Sequence, residues 1–157
     1  MDQRIASFSL AERIRPSFGD PANGEPYKTP RSFVDFVVNG VSLYEVVGRD
    51  RDLVSLIWAE PTDSTGLATA VQRLLASEPG DASDGRVSLF ICPECGDLGC
   101  GAITVRIDTT PGSIVWRDFG YENNYQSEID RAAFASLGPF IFDRQAYSAE
   151  LRALLTR

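Results

Sequence analysis

The chain of 157 residues has no histidine, three cysteines, one methionine and no run of lysines or arginines. Without imidazole, the commonest general base is missing, and with it the Ser-His and Cys-His nucleophile pairs. Lys and Arg number 15 against 22 Asp and Glu, a net charge of −7. Nucleic-acid affinity comes from clustered cations that displace counterions, so this balance argues against a nucleic-acid surface; long-range steering favours a basic protein partner, and the other reading is that the excess charge simply keeps the protein soluble. No apolar stretch reaches the length of a membrane span, so no membrane partner is expected. The start Met1-Asp2-Gln3-Arg4-Ile5 lacks the basic region and long apolar run of an export signal. The expectation is a cytoplasmic protein with thiols outside a disulfide framework. Dinucleotide, phosphate-loop and EF-hand spacings are also missing.

What remains is an ordinary soluble composition, 43% hydrophobic and 24% charged, enough for one domain over residues 1–157. Residues 4–10 alternate weakly, as a first strand would, and 13–30 and 78–85 read as surface loops rich in Pro, Gly and polar residues. The strongest local signal is Ser32 to Val38, then Asn39-Gly40, then Val41 to Val47, because Asn-Gly accepts positive φ at both centres of a tight hairpin turn. Residues 52–58 form a buried strand in this reading. A helix follows with Leu67, Val71, Leu74 and Leu75 on one face, started by Asp63 or Ser64. Strands at 86–91, 102–108 and 113–119 come next, the last two joined through Pro111-Gly112 as a type II turn. Ser127 starts a short helix carrying Ile129, Ala133 and Leu137, which Gly138-Pro139 stops. A strand at 140–142 and a helix capped by Asp143, with Tyr147, Leu151 and Leu154 on one face, complete the pattern. The fold class is therefore α+β: a mainly antiparallel sheet of about six to seven strands built from hairpins, with two to three helices packed on it.

Every thiol lies in Cys92-Pro93-Glu94-Cys95-Gly96-Asp97-Leu98-Gly99-Cys100-Gly101. Cys92 and Cys95 have zinc-knuckle spacing and Cys100 adds a third sulfur; the fourth ligand of a zinc site is open, with Asp97 the candidate beside Glu94, a distant carboxylate or water. The set is incomplete, since structural zinc takes four protein ligands and this chain offers no histidine and no fourth cysteine. Two other readings stay open: small buried thiols that simply pack, and a Cys92–Cys95 or Cys95–Cys100 disulfide. The fold requires no cofactor. Thioredoxin-like chemistry needs a thiol at a helix N-terminus, whereas Gly96-Asp97-Leu98-Gly99 starts a helix poorly and Glu94 and Asp97 raise thiol pKa values. The carboxylate pairs Asp50/Asp52 and Glu122/Glu128 read as solvated charges.

A second feature runs from Val115 to Tyr125, where Trp116, Phe119, Tyr121 and Tyr125 interleave with Arg117, Asp118 and Asn123. Trp116 and Phe119 read as core residues on opposite faces of a strand. Tyr121 and Tyr125, beyond Gly120, are the candidate partner-binding residues.

Leu89 to Ala102, with Val115-Trp116-Arg117-Asp118-Phe119 and Gly138-Pro139-Phe140-x-Phe142, resembles a family of small bacterial proteins frequent in actinobacteria and without an established activity. That family carries a Cys-Gly-x-x-Gly-Cys core ahead of a Val-x-Trp-x-x-Phe strand. The resemblance implies a shared domain over the second half of the chain, in which Cys95, Gly96, Gly99 and Cys100 belong together. The functional expectation is a non-enzymatic acidic binding domain of the inhibitor or immunity type, with a three-cysteine cluster as structural support. The alternative is a thiol-based redox enzyme or sensor acting through Cys92, Cys95 and Cys100.

Overall fold

The computed structural model describes residues 4–25, 27–57, 64–93 and 98–156. Among the described residues nine strands form two sheets. One has six strands: β1 (Ile5–Ala6), β9 (Phe140–Asp143), β8 (Ser113–Glu122), β7 (Ala102–Thr109), β6 (Val87–Ile91) and β5 (Val54–Ser55), in that spatial order. All its pairings are antiparallel except β1 with β9. The other sheet is β2 (Phe8–Arg15), β3 (Arg31–Val38) and β4 (Val41–Ser42). With helices α1 (Ser64–Leu74) and α2 (Arg144–Ala153) this is the expected α+β class, its strands divided between two sheets.

The sheets share one core. Phe36 of β3 meets Phe90 of β6 and Trp116 of β8 edge-on, with ring centroids 5.7 and 5.5 Å apart. Two seams join them. On one side the chain passes from β1 to β2 through Ser7, whose amide donates to Asn39 Oδ1 at 3.0 Å while its carbonyl accepts from the Asn39 amide at 3.1 Å. On the other, Val34 N donates to Ile57 O at 2.7 Å and Ser55 Oγ donates to Val34 O at 2.6 Å.

Asn39 and Gly40 take φ 54° and 78°, the left-handed pair that a two-residue hairpin demands. The return strand stops at Ser42, short of the expected Val47. Its chain is captured by Asp35, a fully buried carboxylate that accepts from Ser42 Oγ at 2.5 Å and Tyr44 N at 3.0 Å, with Arg13 Nε 2.8 Å away. Those bonds turn the backbone into a π-helical stretch, Tyr44–Gly48, that points Tyr44 and Val47 into the core. The expected strand at 52–58 is reduced to β5, and Trp58 and Asp63 lie outside the described residues.

α1 buries Val71 and Leu74 as its periodicity predicts, and α2 buries Tyr147 and Leu151 behind an Asp143 cap that accepts from Ala146 N at 2.9 Å. Tyr147 fastens the layers: its hydroxyl accepts from Trp116 Nε1 at 3.1 Å and donates to Leu74 O at 2.5 Å. The β7–β8 turn departs from expectation. Gly112 does not take the positive φ of a type II turn, and the Thr110 hydroxyl instead accepts from Ser113 N at 3.0 Å. The helix expected from Ser127 is a single 3₁₀ turn, Ala132–Phe134, because Asp130 pairs with Tyr121 and holds the preceding chain extended.

The loop expected at 13–30 is mostly a ribbon. β2 extends through Arg15, and the Phe18–Lys28 bridge continues the β2–β3 register before a 3₁₀ turn at Pro21–Asn23.

Candidate functional site

β8 contains a bulge that organises the site. Thr104 pairs with Gly120 and Arg106 with Arg117, so Asp118 and Phe119 together stand opposite Val105. Asp118 absorbs the extra residue at φ 58°. The inserted residue resets the alternation, and Phe119 joins Trp116 on the core side with ring centroids 6.5 Å apart. Both are buried as expected, but on one face rather than two.

On the other side of the bulge lies a charged network. Arg86 is 0% exposed. It donates to Thr104 Oγ1 at 2.9 Å, Thr104 O at 3.0 Å, Asp118 Oδ2 at 2.8 Å and the Asp118 carbonyl. Arg131 Nε reaches Asp118 Oδ1 at 2.8 Å and Arg106 Nε lies 3.4 Å from Oδ2. Burial pushes the Asp118 carboxyl up, but hydrogen bonds and charge from Arg131 and Arg86 outweigh it and hold the group below the usual carboxylate range. Glu122 is not a solvated charge: it accepts from Thr104 Oγ1 at 2.8 Å and Ser83 Oγ at 3.0 Å. Asp52 likewise holds Arg15 and Lys28, each at 3.1 Å.

β8 runs on past the bulge to Glu122, still paired with Ala102, and the chain then leaves the sheet as a closed loop. Tyr121 and Asp130 exchange two backbone hydrogen bonds of 2.9 Å, which bring the ends of 122–129 together. Inside, Asn123 Oδ1 accepts from Tyr125 N at 2.9 Å and Gln126 N at 3.0 Å, fixing the turn from which Tyr125 projects. Tyr125 is 85% exposed. Between this loop and residues 81–83 lies a cleft of about 350 Å³ lined by Asp81, Ser83, Glu122, Asn123, Gln126 and Glu128 among others, and by no lysine or arginine among the described residues.

The cysteine segment abuts the base of the loop. Gly99 O accepts from Asn124 N at 3.1 Å. Tyr121, half-buried, lies across Gly101 so closely that a Cβ there would sit 2.4 Å from its hydroxyl oxygen; Gly101 also has φ +138°. The Arg51 guanidinium stacks 5.8 Å from the Tyr121 ring centroid and 4.9 Å from that of Phe134. The two features that stand apart in the sequence are thus neighbours in space.

Cys92 is half-buried where β6 ends, and Cys100 is exposed at the end of the 3₁₀ turn Leu98–Cys100. Cys95 and Asp97 lie outside the described residues. Among the described residues no three His, Cys, Asp or Glu side chains converge as a metal site, and no helix is long and apolar enough to cross a membrane. The residues that sequence reading missed are Gly101, Arg51 and the Asp118 hub; only Asn123, a residue type suited to an Asx turn, carried a local signal. No family model, curated protein or solved structure matches the chain.

Proposed function

We propose that this chain is a non-enzymatic binding domain, of the inhibitor or immunity type, that holds a basic protein partner through the Tyr125 loop and the cleft beside it. The observation that carries this reading is Tyr125, 85% exposed on a turn braced by Asn123 and closed by the Tyr121–Asp130 bonds. An aromatic residue whose backbone is already fixed loses less conformational freedom on binding, and its open ring supplies a large contact area, which is what interface anchors need. The cation-free cleft next to it and the net charge of −7 favour a partner with a basic surface.

The cysteine segment has a supporting role in this proposal, since Gly99 and Gly101 brace the loop through Asn124 and Tyr121. A zinc ion held by Cys92, Cys95 and Cys100, with Asp97 as fourth ligand, would strengthen that brace; chelation would then lower the melting temperature.

The test is affinity capture on the immobilised chain. Wild type should retain a protein of high pI that elutes as salt rises, and a folded Tyr125→Ala variant should bind it at least tenfold more weakly. Undiminished binding by that variant overturns the role of the loop. A folded Cys100→Ser variant that loses a measurable activity while keeping its melting temperature would support the thiol-chemistry alternative instead.

A further inference from the structure

The chain contains the dipeptide Asn-Gly twice, at Asn23-Gly24 and Asn39-Gly40, and the fold treats the two in opposite ways. Glycine after asparagine leaves the following amide nitrogen unhindered, so that nitrogen can attack the side-chain carbonyl carbon. Asparagine is thermolabile for this reason. What decides the rate in a folded protein is the state of three groups: the carbonyl oxygen, the amide leaving group and the attacking nitrogen.

At Asn39 the carbonyl is activated, and both the leaving group and the attacking nitrogen are uncommitted among the described residues. Its Oδ1 accepts a hydrogen bond from Ser7 N at 3.0 Å. The orientation of the side-chain amide is fixed by this contact, because a backbone N–H only donates and must face the oxygen. The bond polarises the carbonyl and stabilises the negative charge that Oδ1 gains as the nitrogen attacks, the task of an oxyanion donor. The NH₂ group is left on the far side. Gly40 N makes no hydrogen bond among the described residues, and the space a side chain would occupy at Gly40 is open. The turn must rotate to bring nitrogen to carbon. The strand pairing that resists the rotation is short, since β4 pairs with β3 through only Val41 and Ser42, and the backbone bond that must open is the one from Asn39 N to Ser7 O.

At Asn23 the polarity is reversed. Its Nδ2 donates to Asp20 Oδ2 at 3.0 Å, which holds the leaving group and pushes electron density toward the carbonyl carbon. Gly24 N is committed to Pro21 O at 3.1 Å. Asp20 and Glu25, bonded to each other through Asp20 N and Glu25 Oε2 at 3.2 Å, surround the site with negative charge that opposes an anionic intermediate.

We propose that Asn39 is a spontaneous modification site of the native protein and that Asn23 is protected. Gly40 N loses its proton to water and bonds to Asn39 Cγ; the Cγ–Nδ2 bond breaks and ammonia leaves with a proton from water. The resulting five-membered imide is opened by one water molecule to aspartate or iso-aspartate at position 39. Either product adds a negative charge at the seam. Iso-aspartate also adds a backbone methylene to a turn that has room for two residues, which unpairs β4 and loosens Ser7.

The experiment incubates the native chain at mildly alkaline pH, and in parallel the chain unfolded in urea, with peptide mapping by mass spectrometry at intervals. In urea both asparagines should convert at similar rates, each gaining the mass that replaces NH₂ by OH. In the native protein position 39 should convert at least tenfold faster than position 23. Equal rates in the native protein, or faster conversion at Asn23, would overturn the proposal. An Asp20→Ala variant separates charge and bonding from mere exposure: conversion at Asn23 should rise there and leave Asn39 unchanged. If Asn23 stays inert in that variant, the protection assigned to Asp20 is wrong.

Discussion

Among the described residues two arginines are buried, and their surroundings differ. Arg86, 0% exposed, is held by β7 and β8: Thr104 offers a hydroxyl and a carbonyl, and Asp118 a carboxylate and a carbonyl. Arg15, 1% exposed, ends a strand and turns toward loops, where its NH1 meets both Asp52 oxygens at 3.2 and 3.1 Å and NH2 donates to Thr29 O at 2.7 Å. Lys28 shares Asp52, and Phe18 lies beneath both cations, 5.1 and 4.9 Å from their charges. A sheet positions its acceptors whether or not the arginine is there, so Arg86 meets a preformed cage. The loop cage around Arg15 is assembled by the arginine itself. The first arrangement is rigid and intolerant; the second is yielding.

Substitutions at both sites can break this contrast. Arg86→Met should cost most, about 3–5 kcal/mol in denaturant unfolding, because it strands buried acceptors and leaves Asp118 with the two more exposed guanidinia. A loss below that of the corresponding Arg15 variant would refute the preformed cage. Arg15→Met should cost roughly 1–2 kcal/mol, since Asp52 keeps Lys28 and water can reach it.

Acid separates the sites further. Asp118 has its carboxyl held below its unfolded value, so its contribution to stability is present above the ordinary aspartate range and is lost as pH falls through the lowered folded value. Unfolding midpoints followed downward from pH 5 should therefore fall less steeply in Asp118→Asn than in wild type; parallel curves would show that the network carries no proton linkage. The smallest effect is expected at Phe18, where Phe18→Ala removes two cation–π contacts at a half-open surface and should cost about 0.5–1 kcal/mol.

Much of the fold was legible because local chemistry dictates it. Asn39-Gly40 forces a hairpin, and Asp143 ahead of Tyr147 and Leu151 forces a capped amphipathic helix. Long-range partners were hidden. Nothing near Asp35 in the sequence announces that Ser42 and Tyr44 will fold back onto it and end β4 early. Arg86 and Glu122 look like surface charges until β7 brings Thr104 between them. The bulge at Asp118 left no trace at all, since Trp116 and Phe119 three residues apart read as alternating faces. At the candidate site, Tyr125 was legible as an exposed aromatic; the bracing of its loop by Gly99, through Asn124 N, required the third dimension.

The parallel pairing of Ile5 with Ile141 and Ala6 with Phe142 bears on synthesis. As the chain emerges from the ribosome, β2 can close on β3, and β7 on β8, from sequence already translated. β1 must wait, unpaired, until β9, more than a hundred residues further along, has been made. Adding β1 to the six-stranded sheet is thus a later step than closing either hairpin, because the chain between the partners is far longer and the loop-closure entropy correspondingly larger.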